Sequence, residues 1–87
     1  MIEILYKPKF IKQFEALETL LQKEILEKIE LFKNTNNHKQ LGVHKLHGHL
    51  KDCYSFSINY KFRIIFQYES KKEVVLLTIG DHDIYNQ

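Results

Sequence analysis

Three groups of side chains in this sequence have types and spacings that could carry chemistry. The first is Gly80-Asp81-His82-Asp83-Ile84-Tyr85, where two carboxylates flank one imidazole. Negative neighbours favour the protonated ring, and such a ring can donate a proton to a leaving alkoxide near neutral pH. The bland alternative is a solvated polar tail whose tyrosine packs back on the protein. The second is Arg63, with Lys61 two residues before it, in a stretch of alternating apolar and polar residues. A mid-strand guanidinium is placed to meet an anion, unless it is an ordinary surface charge. The third is His44-Lys45-Leu46-His47-Gly48-His49. Zinc would need several of these histidines together with Asp81 or Asp83. The cysteine ligands usual in structural zinc sites are missing, so no metal is expected. A loop that faces nucleic acid is a better reading than a metal site, and the bland alternative is a plain surface loop rich in histidine.

Charge points the same way. The net charge is only +2. The stretch from His38 to Arg63 nevertheless holds Lys39, Lys45, Lys51, Lys61 and Arg63 against Asp52 alone, with four of the five histidines. Such a stretch suits a polyanion. A plain solvated face, balanced by Glu15, Glu18, Glu24, Glu27 and Glu30, is the alternative. Cys53 is the one cysteine, so no internal disulfide is available, and a buried strand thiol is expected. No phosphate-binding glycine loop or serine elbow is present, and no cofactor is expected.

The elements that must position these groups are legible in the apolar pattern. With 87 residues, 44% of them hydrophobic and 28% charged, the chain reads as one domain over residues 1–87. Apolar Met1–Tyr6 is stopped too early by Lys7-Pro8-Lys9 to be a signal peptide, no run is long enough for a membrane span, and a cytoplasmic location is expected. Residues 2–6 read as a strand, and Pro8 suits a first helical turn. Phe10, Phe14, Leu17, Leu21, Ile25, Ile29 and Phe32 recur at steps of three and four, which is helical. Thr19 with Gln22 fits a capping box, so the run should break near Glu18-Thr19 into two helices, ending at Asn34-Thr35-Asn36-Asn37. Residues 38–52 read as a loop with a short strand. Tyr54, Phe56 and Ile58, then Phe62, Ile64, Phe66 and Tyr68, then Val74–Ile79 form an antiparallel meander. Alternation gives one face to the helices and leaves Ser55, Ser57, Lys61, Arg63 and Gln67 on an open face.

These residues together resemble the RelE/ParE toxin superfamily, in its RelE/StbE/YafQ-like branch. The resemblance rests on Lys45-Leu46-His47-Gly48, on Tyr54-Ser55-Phe56-Ser57-Ile58, on Tyr60-Lys61-Phe62-Arg63-Ile64 and on Gly80-Asp81-His82-Asp83-Ile84-Tyr85. It covers essentially the whole chain. It implies an α+β fold with two N-terminal helices packed on a small, mainly antiparallel twisted sheet, in the order β-α-α-β-β-β. It also implies a toxin of a type II toxin–antitoxin system, of the kind linked to plasmid stabilization, held inactive by a cognate antitoxin protein. Members of this branch are endoribonucleases (mRNA interferases) that halt translation by cutting mRNA, usually on the 70S ribosome, through attack of a ribose 2′-hydroxyl on its own phosphate. By the same resemblance Arg63 stabilises the phosphorane, His82 is acid or base, Tyr85 positions the nucleotide, and His44 matches a histidine of the YafQ-like branch. Lys45, Lys51, Lys61, His47 and His49 would contact RNA. Ser57 stands where many members carry arginine or histidine. Two other outcomes fit the same fold: a ParE-like inhibitor of DNA gyrase, and a catalytically inactive toxin that only binds its antitoxin.

Overall fold

A computed structural model gives the structure of the chain. It describes residues 1–86, without the side chains of His82 and Asn86. Strand β1 (Glu3–Tyr6) leads into helices α1 (Pro8–Glu15) and α2 (Thr19–Phe32), followed by strands β2 (His44–Lys45), β3 (Tyr54–Ser57), β4 (Arg63–Ser70) and β5 (Glu73–Gly80). A 3-10 turn at Gly48–Leu50 precedes β3, and a closing 3-10 turn, His82–Asn86, follows β5. The expected helix pair on a mainly antiparallel sheet is present, with one more strand than the expected order: the short strand foreseen within residues 38–52 is β2. Among the described residues, no helix is long and apolar enough to cross a membrane.

The helices break at the expected place for a different reason. Glu18, not Thr19, occupies the extended cap position of α2, and no side chain caps it. Thr19 is already helical, so its hydroxyl is not placed for a capping box. Gln22 instead donates from Nε2 to the carbonyl oxygen of Phe14 at 3.0 Å, which ties α2 to the last turn of α1. α2 then buries Ile25, Ile29 and Phe32 against the sheet. Phe32 stacks on Phe56 at 4.4 Å and meets Phe66 edge-on at 4.9 Å. His38 stacks on the same Phe32 ring at 4.6 Å, and a ring nitrogen shares a 2.8 Å hydrogen bond with the Phe32 carbonyl. His38 is thus a structural histidine.

The strand order is β1-β5-β4-β3-β2, with β1 parallel to β5 and the other pairs antiparallel. The β4–β5 pairing carries a bulge: Phe66 faces Leu76 while Ile65 faces Thr78, so Leu77 is an extra residue. The extra residue shifts the alternation, and Val74, Leu76 and Ile79 all pack into the helix-covered core. Past Leu76, β1 no longer pairs with β5. α1 covers that edge, where Gln13 Oε1 accepts from the Ile79 N–H at 2.8 Å and the Thr78 hydroxyl at 3.0 Å.

The face expected to be open is half covered. Ser55 is fully buried, and Leu46, Cys53, Ile65 and Ile84 form a second apolar cluster. The residue 46–53 segment and the closing turn fold over that side, because Ile65 and the bulge's Leu77 offer it an apolar surface. Lys61 lies in the 58–62 loop rather than on β4.

Two outcomes follow from this packing. Phe32→Ala removes the ring that joins α2 to β3 and β4, and should lower unfolding free energy by about 3–5 kcal/mol in urea denaturation. Burial, aided by Tyr54, pushes the Tyr68 phenol above its ordinary value. The unfolded chain therefore ionises Tyr68 first. The contribution of Tyr68 to stability should be constant below about pH 10 and fall as the pH rises past it, and Tyr68→Phe should remove that part of the alkaline loss in thermal melts.

Candidate functional site

The register of the sheet decides which candidate residues meet. One row across the covered face runs His44, Ser55, Ile65, Thr78. Two residues along, roughly 7 Å away, a second row runs Ser57, Arg63, Gly80. After Gly80 the chain turns back over these rows. Asp81 starts the turn: its Oδ1 accepts from the Asp83 N–H at 3.0 Å, and its carbonyl accepts from the Ile84 N–H at 3.1 Å. Ile84 is buried directly over Gly80, where a Cβ would overlap the Ile84 methyl group Cγ2. Tyr85 then reaches back to the first row, its phenol oxygen 2.7 Å from the Ser55 hydroxyl.

Arg63, the His82 backbone, Tyr85 and His44 are thus gathered on one face. His82 sits between Gly80, which pairs with Arg63, and Ile84. The role expected of its side chain lies outside the described residues.

Arg63 is half-buried and held by its neighbours. Its Nη1 donates to the carbonyls of Asn59 and of Phe62, the latter at 3.1 Å; Nε and Nη2 take part in neither bond. Asn59 holds the loop in turn. Its Oδ1 accepts from the N–H groups of Lys61 at 2.9 Å and Phe62 at 2.8 Å, and its Nδ2 donates to Glu24 of α2 at 2.8 Å. A guanidinium fixed this way loses little freedom on meeting an anion. The sequence marked Asn59 only as a turn former. Its reach to Glu24 could not be read from spacing.

His44 is exposed, with Nδ1 2.9 Å from the Gly42 carbonyl. A carbonyl only accepts, so Nδ1 carries the proton. In the neutral ring Nε2 then keeps its lone pair and can act as a base. Gly42 has φ +70, the left-handed conformation that favours glycine, and this sets its carbonyl beneath the ring.

The cations expected to meet RNA divide. His47, His49 and Lys51 are exposed on the segment that covers the site face. Lys61 is exposed beside Arg63, with its Nζ 5.6 Å from the Phe62 ring centre. Lys45 pairs with Tyr54 and so shares the helix side of the sheet. One feature escaped the sequence reading. Lys7 and Lys9, there only the end of a strand, border a cleft of about 380 Å³ floored by Leu50, Cys53, Ile65 and Ile84. Cys53 is the buried thiol expected, with Gln67 Nε2 at 3.6 Å from its sulfur. Among the described residues, no group of three His, Cys, Asp or Glu side chains could hold a metal.

The sequence model of the ParE toxins of type II toxin–antitoxin systems (parDE) matches residues 4–84. The chain belongs to that family. It is a toxin of a type II toxin–antitoxin system, within the RelE/ParE superfamily. Solved structures repeat the toxin's fold. A conserved hypothetical protein of Helicobacter pylori is 20% identical, with a TM-score of 0.70 over 95% of this chain and 97% of its own. A chain of the YoeB–YefM complex from Staphylococcus aureus is 17% identical, with a TM-score of 0.72 over 94% and 98%. A chain of the archaeal RelE–RelB complex from Pyrococcus horikoshii is 16% identical, with a TM-score of 0.69 over 92% and 93%. Curated protein sequences give no significant match.

In the toxin, Ser57 pairs directly with Arg63, so a neutral hydroxyl stands beside the guanidinium. The closing turn depends on Gly80. Gly80→Ala should cost about 1–3 kcal/mol by pushing Ile84 out. Cys53 should then react faster with a thiol reagent while the circular dichroism spectrum stays unchanged. Equal stability and equal Cys53 reactivity would show that Gly80 does not seat the turn.

Proposed function

We propose that this toxin is an endoribonuclease that cuts mRNA on the ribosome. The ribose 2′-oxygen attacks the adjacent phosphorus, and the bond to the 5′-oxygen breaks. His44 Nε2 takes the 2′-hydroxyl proton, Arg63 binds the phosphorane oxygens, and His82 protonates the leaving 5′-oxygen. Tyr85 orders the nucleotide. The products are a 2′,3′-cyclic phosphate and a free 5′-hydroxyl. One observation carries this reading: the sheet register and the Ser55–Tyr85 contact bring His44, Arg63 and the closing turn to one face. Lys51, Lys61, His47 and His49 border that face and suit the flanking phosphates, while Lys45 reaches RNA only from the sheet edge. No cofactor enters the reaction.

Ser57 removes one cation next to Arg63, so turnover is slow compared with a site that has both. Positioned proton transfer and charge stabilisation each contribute roughly a hundredfold or more in rate. The toxin acts in the cytoplasm and is silenced by a cognate antitoxin protein, a pairing that the YoeB–YefM and RelE–RelB complexes support. A disordered antitoxin segment that adds a strand or helix fits this small surface.

Inhibition of DNA gyrase is the second reading, favoured by the match to the ParE family. Expression in a bacterial host separates the two. The nuclease reading predicts stalled translation and cuts within codons of ribosome-bound message, mapped by primer extension. Arg63→Ala and His82→Ala should each reduce cutting about a hundredfold or more while the fold stays intact by circular dichroism. Intact message with collapsed plasmid supercoiling means gyrase. Full toxicity in both variants removes the roles given to these two residues.

A further inference from the structure

Ser55 is a hydroxyl in an apolar setting. It is 0% exposed and lies in its row between His44 and Ile65, below the cluster that Ile84 closes. A buried hydroxyl left without a partner costs about 1–3 kcal/mol. Tyr85 meets it at 2.7 Å, the usual O–H···O length, across thirty residues of sequence. Apolar packing of Ile84 fixes how deeply the closing turn sits, because dispersion has no direction. It does not fix where the neighbouring phenol points. A directional bond to a residue in the middle of a paired strand does.

The geometry points to Ser55 as a positioning residue of the site: we propose that it holds the Tyr85 phenol oxygen in the row of His44, so that a bound nucleotide meets a ring already in place. This rests on the nuclease reading above. Ser55 is enclosed and touches no RNA itself; it acts through Tyr85. The arrangement also explains why a small neutral residue stands at Ser55. A longer side chain there would lift the phenol and the closing turn off the sheet.

The test uses Ser55→Ala, Tyr85→Phe and the double variant, in single-turnover cleavage of ribosome-bound message and in NMR of the free toxin. Ser55→Ala should slow the cleavage step roughly 10- to 100-fold, with ribosome affinity within about twofold of wild type. Tyr85→Phe should fall similarly, and the double variant no further than the worse single one, because both remove one bond. The Tyr85 ring-carbon resonance beside the hydroxyl should shift and broaden in Ser55→Ala, with the other four tyrosines unmoved. An unshifted Tyr85 resonance, additive losses in the double variant, or wild-type cleavage by Ser55→Ala overturns the proposal. A wild-type toxin that cuts no message refutes the nuclease reading and with it the catalytic half of this proposal; the resonance alone then decides whether Ser55 holds Tyr85.

Discussion

Strand β5 is the constraint on which the rest of the molecule depends. It pairs with β1 on one side and β4 on the other, and one sequence must satisfy both. It must also cover the helix-packed core along its whole length. A strict alternation would turn Ile79 away from that core once Val74 and Leu76 face it. The extra residue at Leu77 resolves the conflict, at the point where β1 ends and Gln13 takes over the free edge. The same bulge brings Gly80 opposite Arg63 and sends the closing turn back across the sheet. A packing requirement thereby sets the direction of the chain at the site.

The candidate site is built from restrained parts. Arg63 is gripped by two loop carbonyls, and that loop is pinned to α2 through Asn59 and Glu24. His44 has its tautomer chosen by the Gly42 carbonyl. Tyr85 is tied to Ser55. Each restraint removes side-chain freedom already at folding. The restraints on Arg63 and His44 reuse backbone carbonyls that the loops already expose.

The two faces of the sheet do different work. The helix side holds the stacked aromatics Phe32, Phe56 and Phe66 and carries the stability of the fold. The other side has only a small cluster, Leu46, Cys53, Ile65 and Ile84, roofed by a histidine-bearing segment and a short turn. A thin roof of that sort opens at lower cost than the main core. The candidate site lies on that thinner side, where local change leaves the main core in place.

Period-three-and-four spacing from Phe10 to Phe32 determined the two helices, and period-two spacing from Tyr54 to Tyr68, followed by the apolar run Val74–Ile79, determined the meander, because each element must bury one face or both. Parity along β3 and β4 likewise put Arg63 on the side away from the helices. The quoted motifs, read together, pointed to the family. Tertiary structure alone decided the rest. Which strand lies beside which, the parallel pairing of β1 with β5, and the meeting of His44, Ser55 and Tyr85 all depend on contacts between residues far apart in the chain. Local pattern carries no information about such pairings. The bulge at Leu77 was invisible for the same reason: in a run as apolar as Val74–Ile79, either phase looks equally buried. The burial of Ser55 also came from outside its own strand, since the turn that covers it is written thirty residues later. Gly80-Asp81-His82-Asp83-Ile84-Tyr85, as a sequence, was a chemically suggestive tail. The sheet beneath it gave Tyr85 a fixed place.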